Sequence, residues 1–190
     1  MGKNFSRNNT GKRRKSDFYE TPYSMTRHLF SVEKFDRGGT CLEPACGNLA
    51  IVQILFEHFD NVRFYDIEKD FLTETQSFDY VITNPPYSLA FEFIQKAKQV
   101  CNKFAFLLPL SYLHGKKRYD YVYQDQKFPL KSVSVFTRYP LLGEPLREDG
   151  KYNTGMMVYA WYVWDKEYKG EPTIKWIDNN EDILKRGKCG

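Results

Sequence analysis

The sequence predicts an α/β fold: a doubly wound, mostly parallel sheet with helices on both faces. Three observations carry this. Short apolar runs that read as strands alternate with segments of helical period from residue 22 to residue 109. Each of these strands is followed by a polar or proline-rich turn. A long apolar run near the end, Met156 to Trp164, supplies a last long strand, expected to run antiparallel.

In chain order, Thr21-Pro22 is a helix start, with a capping side chain and a proline whose missing N–H costs nothing in the first turn. Met25, Leu29 and Val32 then share one face, which predicts a helix over 22–35 that ends at Gly38-Gly39. Thr40–Glu43 reads as a short strand, and Val52, Leu55, Phe56 and Phe59 recur at helical spacing behind it. Val62–Asp66 and Phe78–Thr83 are the next strands. Ser88 opens a helix with Ile94, Ala97 and Cys101 on one side, and Lys103–Leu108 is an apolar strand ending at Pro109. Beyond residue 115 a short helix (Tyr119, Val122, Tyr123), a strand at Ser132–Phe136, a Gly/Pro/charged loop over 139–154 and a possible extra strand at Thr173–Trp176 complete the reading.

At 190 residues with 42% hydrophobic and 17% aromatic content, the chain is long enough for one domain with a real core. The expected organisation is a flexible basic tail over 1–16, a single domain over 17–178 and a C-terminal tail over 179–190. Charge is unevenly placed. Residues 1–16 hold six basic residues, among them Lys12, Arg13, Arg14 and Lys15, and no acidic one; against a net charge of +4, the remainder carries −2. Such an arm attracts phosphates, and Lys116, Lys117 and Arg118 form a second basic cluster. Four cysteines without a Cys-x-x-Cys pair and three scattered histidines give no metal-site spacing, so no metal is expected and the thiols read as reduced, in a cytoplasm. The longest apolar run is too short to span a bilayer, and no membrane partner is expected.

In a doubly wound sheet, ligands sit at the carboxyl ends of the strands, so the residues just after each strand carry the chemistry. Here these are Glu43-Pro44-Ala45-Cys46-Gly47-Asn48, then Asp66-Ile67-Glu68, Asp70-Phe71-Leu72, and Asn84-Pro85-Pro86-Tyr87. A phosphate would need a glycine-rich cradle with a lysine or arginine, and neither form of that motif is present. Carboxylates at the sheet edge suit a cationic, ribose-bearing ligand, because a carboxylate holds a ribose diol by two acceptor bonds.

Asn-Pro-Pro-Tyr suits an exocyclic amine. That nitrogen is a poor nucleophile while its lone pair is delocalised into the base. Acceptors from the Asn84 side chain and the Pro85 carbonyl would favour a pyramidal nitrogen with a free lone pair. Proline's fixed φ keeps the acceptors in place, and Tyr87 offers a face for stacking. No strong base is needed, and a methyl sulfonium in line at about 3–3.5 Å would complete the arrangement.

The set Thr21-Pro22, Glu43-Pro-Ala-Cys-Gly-Asn48, Asp66, Asp70-Phe71-Leu72 and Asn84-Pro-Pro-Tyr87 resembles the S-adenosylmethionine-dependent DNA adenine-N6 methyltransferases, in particular their small phage and prophage members. The likeness spans about residues 17–165. It implies a Rossmann-like class I methyltransferase fold, S-adenosylmethionine as cofactor and nucleic acid, DNA first, as partner. It places Tyr19, Thr21 and Pro22 over the methionine end of the cofactor, Glu43, Pro44, Ala45, Cys46 and Gly47 beneath it, Asp66 with Ile67 at the ribose, and Asp70 with Phe71 at the adenine. Asn84, Pro85, Pro86 and Tyr87 would hold the target base, with Asn84 also close to the cofactor.

Two positions depart from the pattern. Leu49 stands where the family often has a second glycine, and only three residues separate Asp66 from Asp70 where larger relatives fit a helix and a strand, so the sheet is expected to be trimmed at that edge. The same tetrapeptide serves methylation of RNA bases and of glutamine amides, and a non-catalytic nucleic-acid-binding subunit of this fold is a further alternative. With no separate recognition domain, sequence selection falls to the loops at 112–127 and 138–154, to a protein partner or to a second copy. Tyr159, Trp161, Tyr162 and Trp164 read as core before they read as a stacking wall, and Cys46 as a small wall residue before a nucleophile.

Deleting residues 1–16 is expected to weaken nucleic-acid binding and to flatten the dependence of log K on log salt, measured by titrations across a salt series. An unchanged slope would make the tail passive.

Overall fold

The computed structural model describes residues 21–66, 70–137 and 158–179. Tyr19, Ile67, the basic residues Lys12, Arg13, Arg14 and Lys15, and the loop over 138–154 lie outside the described residues. The described chain runs α1 (Tyr23–Val32), β1 (Thr40–Glu43), α2 (Ala50–His58), β2 (Asn61–Phe64), β3 (Phe78–Thr83), α3 (Ala90–Val100), β4 (Cys101–Pro109), α4 (Lys116–Arg118, running into a π-helical turn at Tyr119–Tyr123), β5 (Leu130–Phe136), β6 (Tyr159–Asp165) and β7 (Thr173–Ile177).

The strands form one seven-stranded sheet in the order β2-β1-β3-β4-β6-β5-β7. All neighbours are parallel except β6, which is antiparallel to both β4 and β5. The long last strand therefore runs as expected, and the extra strand β7 is real and parallel to β5. Among the described residues no strand lies outside β2, so the sheet is trimmed at that edge: the link to β3 holds only a single turn, Phe71–Thr73.

Strand alternation sends side chains to opposite faces, and each face receives its own core. On one, α1 and α2 bring Met25, Leu29, Ile51 and Leu55 against Cys41, Ile82, Ala105, Leu107, Trp161 and Val163. On the other, α3 and α4 with its π turn bring Phe93, Ile94, Ala97 and Val122 against Leu42, Val81, Phe104, Phe106, Tyr162 and Trp164. Every residue of β6 from Tyr159 to Trp164 is buried, so the aromatic stripe is core and not a base-stacking wall. Trp164 stacks on Phe104 at 4.8 Å, and the Trp161 indole N–H donates to the Met25 carbonyl at 2.8 Å.

Several boundaries differ from the sequence reading. Helix α1 stops at Val32, and Glu33 is extended, because its carboxylate turns inward to pair with two lysines. Gly39 does not end that helix; a Cβ there would lie 2.6 Å from the Tyr80 ring, so close approach demands glycine. Thr21 does not cap α1, since Pro22 is the N-cap and the Thr21 hydroxyl is engaged elsewhere. Ser88 lies in a 3-10 turn, Tyr87–Leu89, ahead of α3, and Cys101 begins β4 instead of closing the helix. Strand β2 ends at Phe64, two residues early. Phe56 is exposed and packs its edge on Phe64.

At the amino edge of the sheet, opposite the loops of interest, Lys103 donates to Glu33 at 2.6 Å, and Lys131 bridges Glu33 at 2.9 Å and Asp165 at 3.2 Å. Burial pushes the Glu33 carboxyl up, but the two lysines outweigh it and hold it below its ordinary 4.5. Glu33→Gln leaves buried positive charge uncompensated and is expected to cost about 3 kcal/mol in denaturant unfolding. Because the folded-state value is the lower one, the stabilisation from Glu33 is present above about pH 4.5 and fades as pH falls below it, a loss the variant should lack.

Candidate active site

Four segments leave the carboxyl edge of the sheet side by side. After β1 the chain turns through Pro44, Ala45, Cys46 and Gly47, with Gly47 at φ 45° and Leu49 at φ 65° as N-cap of α2. Leu49 thus adopts the left-handed backbone that glycine tolerates and a branched side chain does not favour. This position keeps a glycine-type conformation without the glycine. The turn is tied to the end of β2 by the Cys46 N–H donating to the Tyr65 carbonyl at 3.1 Å.

Glu43, the last residue of β1, is wholly buried. Its Oε1 accepts from the Ala45 N–H at 2.9 Å and from the Thr83 hydroxyl at 2.5 Å. Its Oε2 is buried and has no hydrogen-bond partner among the described residues. Burial pushes this carboxyl up to about 8; Asp66 adds to the rise, and the two hydrogen bonds oppose it. The Cys46 thiol is also raised, by burial and then by Asp66 and Glu43, which keeps it protonated and suits a wall residue better than a nucleophile.

Thr83 ends β3 and leads directly into Asn84-Pro85-Pro86-Tyr87. The Asn84 amide nitrogen donates to the Thr21 hydroxyl at 3.1 Å, which fixes the amide's orientation and joins the segment before α1 to the one after β3. Pro86 sits at φ −54°, ψ 119°, and Pro85 is buried. The Tyr87 ring packs 5.8 Å from Tyr159 at the start of β6. Thr21, Glu43 and Asn84 are thus brought together, with Pro44 to Gly47 as the connecting turn.

The remaining candidates are placed less centrally. Asp66 is exposed at the mouth of the β1 loop. Asp70 caps the Phe71–Thr73 turn, its Oδ1 accepting from the Leu72 N–H at 2.9 Å. Phe71 is buried with its ring 4.9 Å from Phe93. In α4, Lys116 pairs with Asp120, Lys117 lies 3.7 Å over the Phe91 ring, and Arg118 donates to the His114 carbonyl while lying over Tyr112. Arg118 is therefore committed to its own turn, whereas Lys116 and Lys117 stay exposed beside Tyr119 and Tyr121, which are 53% and 63% exposed. Phe91 is four residues past Tyr87, so this basic and aromatic surface adjoins the Asn-Pro-Pro-Tyr turn.

One site residue, Thr83, escaped the sequence reading, and Thr21, expected over the cofactor, has a bond to Asn84 that the sequence did not show. Thr83 closes the Glu43 carboxyl, and Thr21 orients Asn84. The available signal was a threonine at the inner end of an apolar strand, where a buried hydroxyl needs a partner. Among the described residues no group of His, Cys, Asp and Glu could hold a metal ion, and no helix is long and apolar enough to cross a membrane.

The architecture is the class I S-adenosylmethionine-dependent methyltransferase fold. No protein-family model matches the chain, and no curated protein matches it. Solved structures do match. The methyltransferase subunit of a type I restriction-modification system from Streptococcus thermophilus superposes with a TM-score of 0.58 at 14% identity, covering 88% of this chain and 52% of that one. A Listeria monocytogenes protein assigned to the class I S-adenosylmethionine-dependent methyltransferases gives 0.58 at 13%, covering 86% and 66%. A Pyrococcus horikoshii protein assigned as an RNA methyltransferase gives 0.54 at 14%, covering 78% and 86%. The chain spans about half the length of the restriction-modification subunit.

The Leu49 conformation is testable with a pair of substitutions that both remove the side chain. Leu49→Gly is expected to be more stable than Leu49→Ala by about 1 kcal/mol in thermal or denaturant unfolding, the reverse of the order at an ordinary helical position.

Proposed function

We propose that this protein transfers a methyl group from S-adenosylmethionine to the exocyclic N6 amine of adenine in DNA. The observation that carries the reading is the junction of Asn84-Pro85-Pro86-Tyr87 with the β1 loop through Thr83–Glu43, and with the segment before α1 through Asn84–Thr21. A target-holding turn and a ligand loop are bonded to one another at the sheet's carboxyl edge, where doubly wound folds bind their ligands.

The residues fit the cofactor. The β1 loop has small side chains and no lysine or arginine, and it holds an unpartnered buried carboxyl oxygen beside Asp66, a donor set for a cationic ribose-bearing molecule rather than a phosphate. When bound, S-adenosylmethionine supplies a methyl group activated by its sulfonium. Asp66 is the ribose acceptor in this reading and Asp70 the acceptor for the cofactor's adenine amine with Phe71 behind it, and the sequence resemblance assigns Tyr19, Pro22 and Ile67 to the same ligand.

Asn84 and the Pro85 carbonyl accept the hydrogens of the target amine, and Tyr87 stacks on the base. Proline rigidity keeps both acceptors set before the base arrives, so little reorganisation is needed. The target adenine has to leave the duplex stack, which costs a few kcal/mol that stacking and acceptor contacts offset.

DNA is favoured by the order of the motifs and by the basic tail. Lys116, Lys117, Tyr119 and Tyr121 offer phosphate attraction and stacking next to the target turn, on a π-helical turn of the kind often found at functional sites. An RNA base is the second reading, supported by the likeness to the Pyrococcus protein.

Labelled S-adenosylmethionine offered with double-stranded DNA, single-stranded DNA, RNA and protein, followed by digestion and mass identification, tests this. N6-methyladenine from DNA is the expected product; label in RNA or glutamine would replace the substrate and keep the chemistry. Asn84→Ala is expected to lower transfer by about a hundredfold or more, with cofactor affinity nearly unchanged by calorimetry. Equal loss of both would remove Asn84 from the target amine.

A further inference from the structure

The end of β1 holds a group that the proposed chemistry does not by itself explain. Glu43 is wholly buried, its two hydrogen bonds both fall on Oε1, and Oε2 is enclosed with no partner. The titratable groups around it come from three places: Cys41 on β1, Cys46 in the turn, and Asp66 two residues past β2. From β3 it meets Thr83, a neutral donor. Among the described residues no lysine, arginine or histidine acts on it.

An ionised carboxylate in that position would be a buried charge with a second acid nearby and no counterion, a state costing several kcal/mol. A neutral acid avoids this. A protein that needed only a structural anchor between β1 and β3 could use an amide or hydroxyl there without that penalty, so the acid calls for a cation that arrives from outside.

We infer that Glu43 is the residue by which the site recognises positive charge on its ligand, and that it gives up its proton to solvent as the ligand enters. This rests on the reading that the site takes S-adenosylmethionine, which carries an ammonium and a sulfonium. The balance is simple: the Glu43 O–H bond breaks, the proton passes to buffer, and the carboxylate that remains is matched by the ligand's cation. Direct contact is not required, because an opposite charge within about 4–6 Å favours the ionised form. The carboxyl's rise to about 8 agrees with this. The two cysteine thiols are raised by burial and stay protonated, so Glu43 is the group of this cluster that changes charge near neutrality.

Charge recognition of this kind makes affinity depend on pH with a defined sign. The empty site is protonated below about pH 8 and the filled site is not, so affinity rises with pH in that range. Between pH 6 and pH 7.5 the association constant should rise roughly twentyfold. Calorimetric titration of the full-length protein with S-adenosylmethionine at pH 7, in two buffers of different ionisation enthalpy, should report roughly 0.9 proton released per site. S-adenosylhomocysteine, which keeps the ammonium and lacks the sulfonium, separates the two sources of charge. Release with both ligands assigns the ammonium, and release with S-adenosylmethionine alone assigns the sulfonium.

Glu43→Gln keeps the two bonds at Oε1 and should bind more weakly, without proton release and without the pH slope. Difference infrared spectroscopy on the wild-type protein gives a second reading that needs no variant: a protonated-carboxyl C=O band should disappear when ligand is added. Binding without proton exchange and without loss of that band would overturn the inference and leave the cofactor reading standing. Proton release that persists in Glu43→Gln would overturn it as well. Absence of binding by both ligands would remove the cofactor reading and this inference together.

Discussion

Burial of strand β6 on both faces, between β4 and β5, is the constraint on which the rest of the molecule depends. Its register against β4 runs unbroken from Lys103–Asp165 to Pro109–Tyr159, and its side chains feed both cores in turn. Trp161 reaches α1 and Trp164 reaches the layer of α3 and α4, so one strand locks the helices of both faces to one sheet. Burial of large aromatic side chains is the largest favourable contribution such an arrangement can make. With those strands held, the carboxyl ends of β1, β3 and β4 form a fixed edge from which irregular segments can project without losing their geometry.

Polarity is divided between the two edges of that sheet. At the amino edge, Glu33, Asp165, Lys103 and Lys131 balance one another in a closed set, and each buried charge has its counterpart. At the carboxyl edge no such balance is found among the described residues: Glu43 is buried with no described cation beside it, Asp66 is exposed, and Cys46 is held as a thiol. A complete ion network offsets the cost of burying its charges, whereas a buried acid without a counterion is held neutral. The contrast within one sheet makes the carboxyl edge stand out as the place where chemistry is expected.

The prolines and threonines at that edge serve one purpose between them. Pro85 and Pro86 restrict the backbone after β3, Thr83 ties its start to the Glu43 carboxyl, and Thr21 sets the Asn84 amide. Three separate parts of the chain thereby share two side-chain hydrogen bonds. A turn built this way has little freedom left to lose, and preorganisation of that sort is where electrostatic catalysis, as proposed for this site, finds most of its advantage.

The fold class, the strands β1 and β3 to the residue, the trimmed edge and the antiparallel long strand were legible in the sequence, because each is governed by local period, turn chemistry or segment length. The candidate loops were legible for the same reason: proline, glycine and carboxylates placed after apolar runs mark strand exits wherever the strands go. Tertiary structure alone decided the rest. It stopped α1 at Val32 by drawing Glu33 toward lysines about 70 and 98 residues away, fixed Gly39 through the Tyr80 ring, and held Leu49 in a left-handed turn. It also turned Thr21 from a helix cap into the partner of Asn84, 63 residues on, and left Glu43 with one oxygen unpaired among the described residues. Local sequence sets the conformations a segment prefers, but which buried polar group finds a partner depends on atoms that only folding brings within 3 Å.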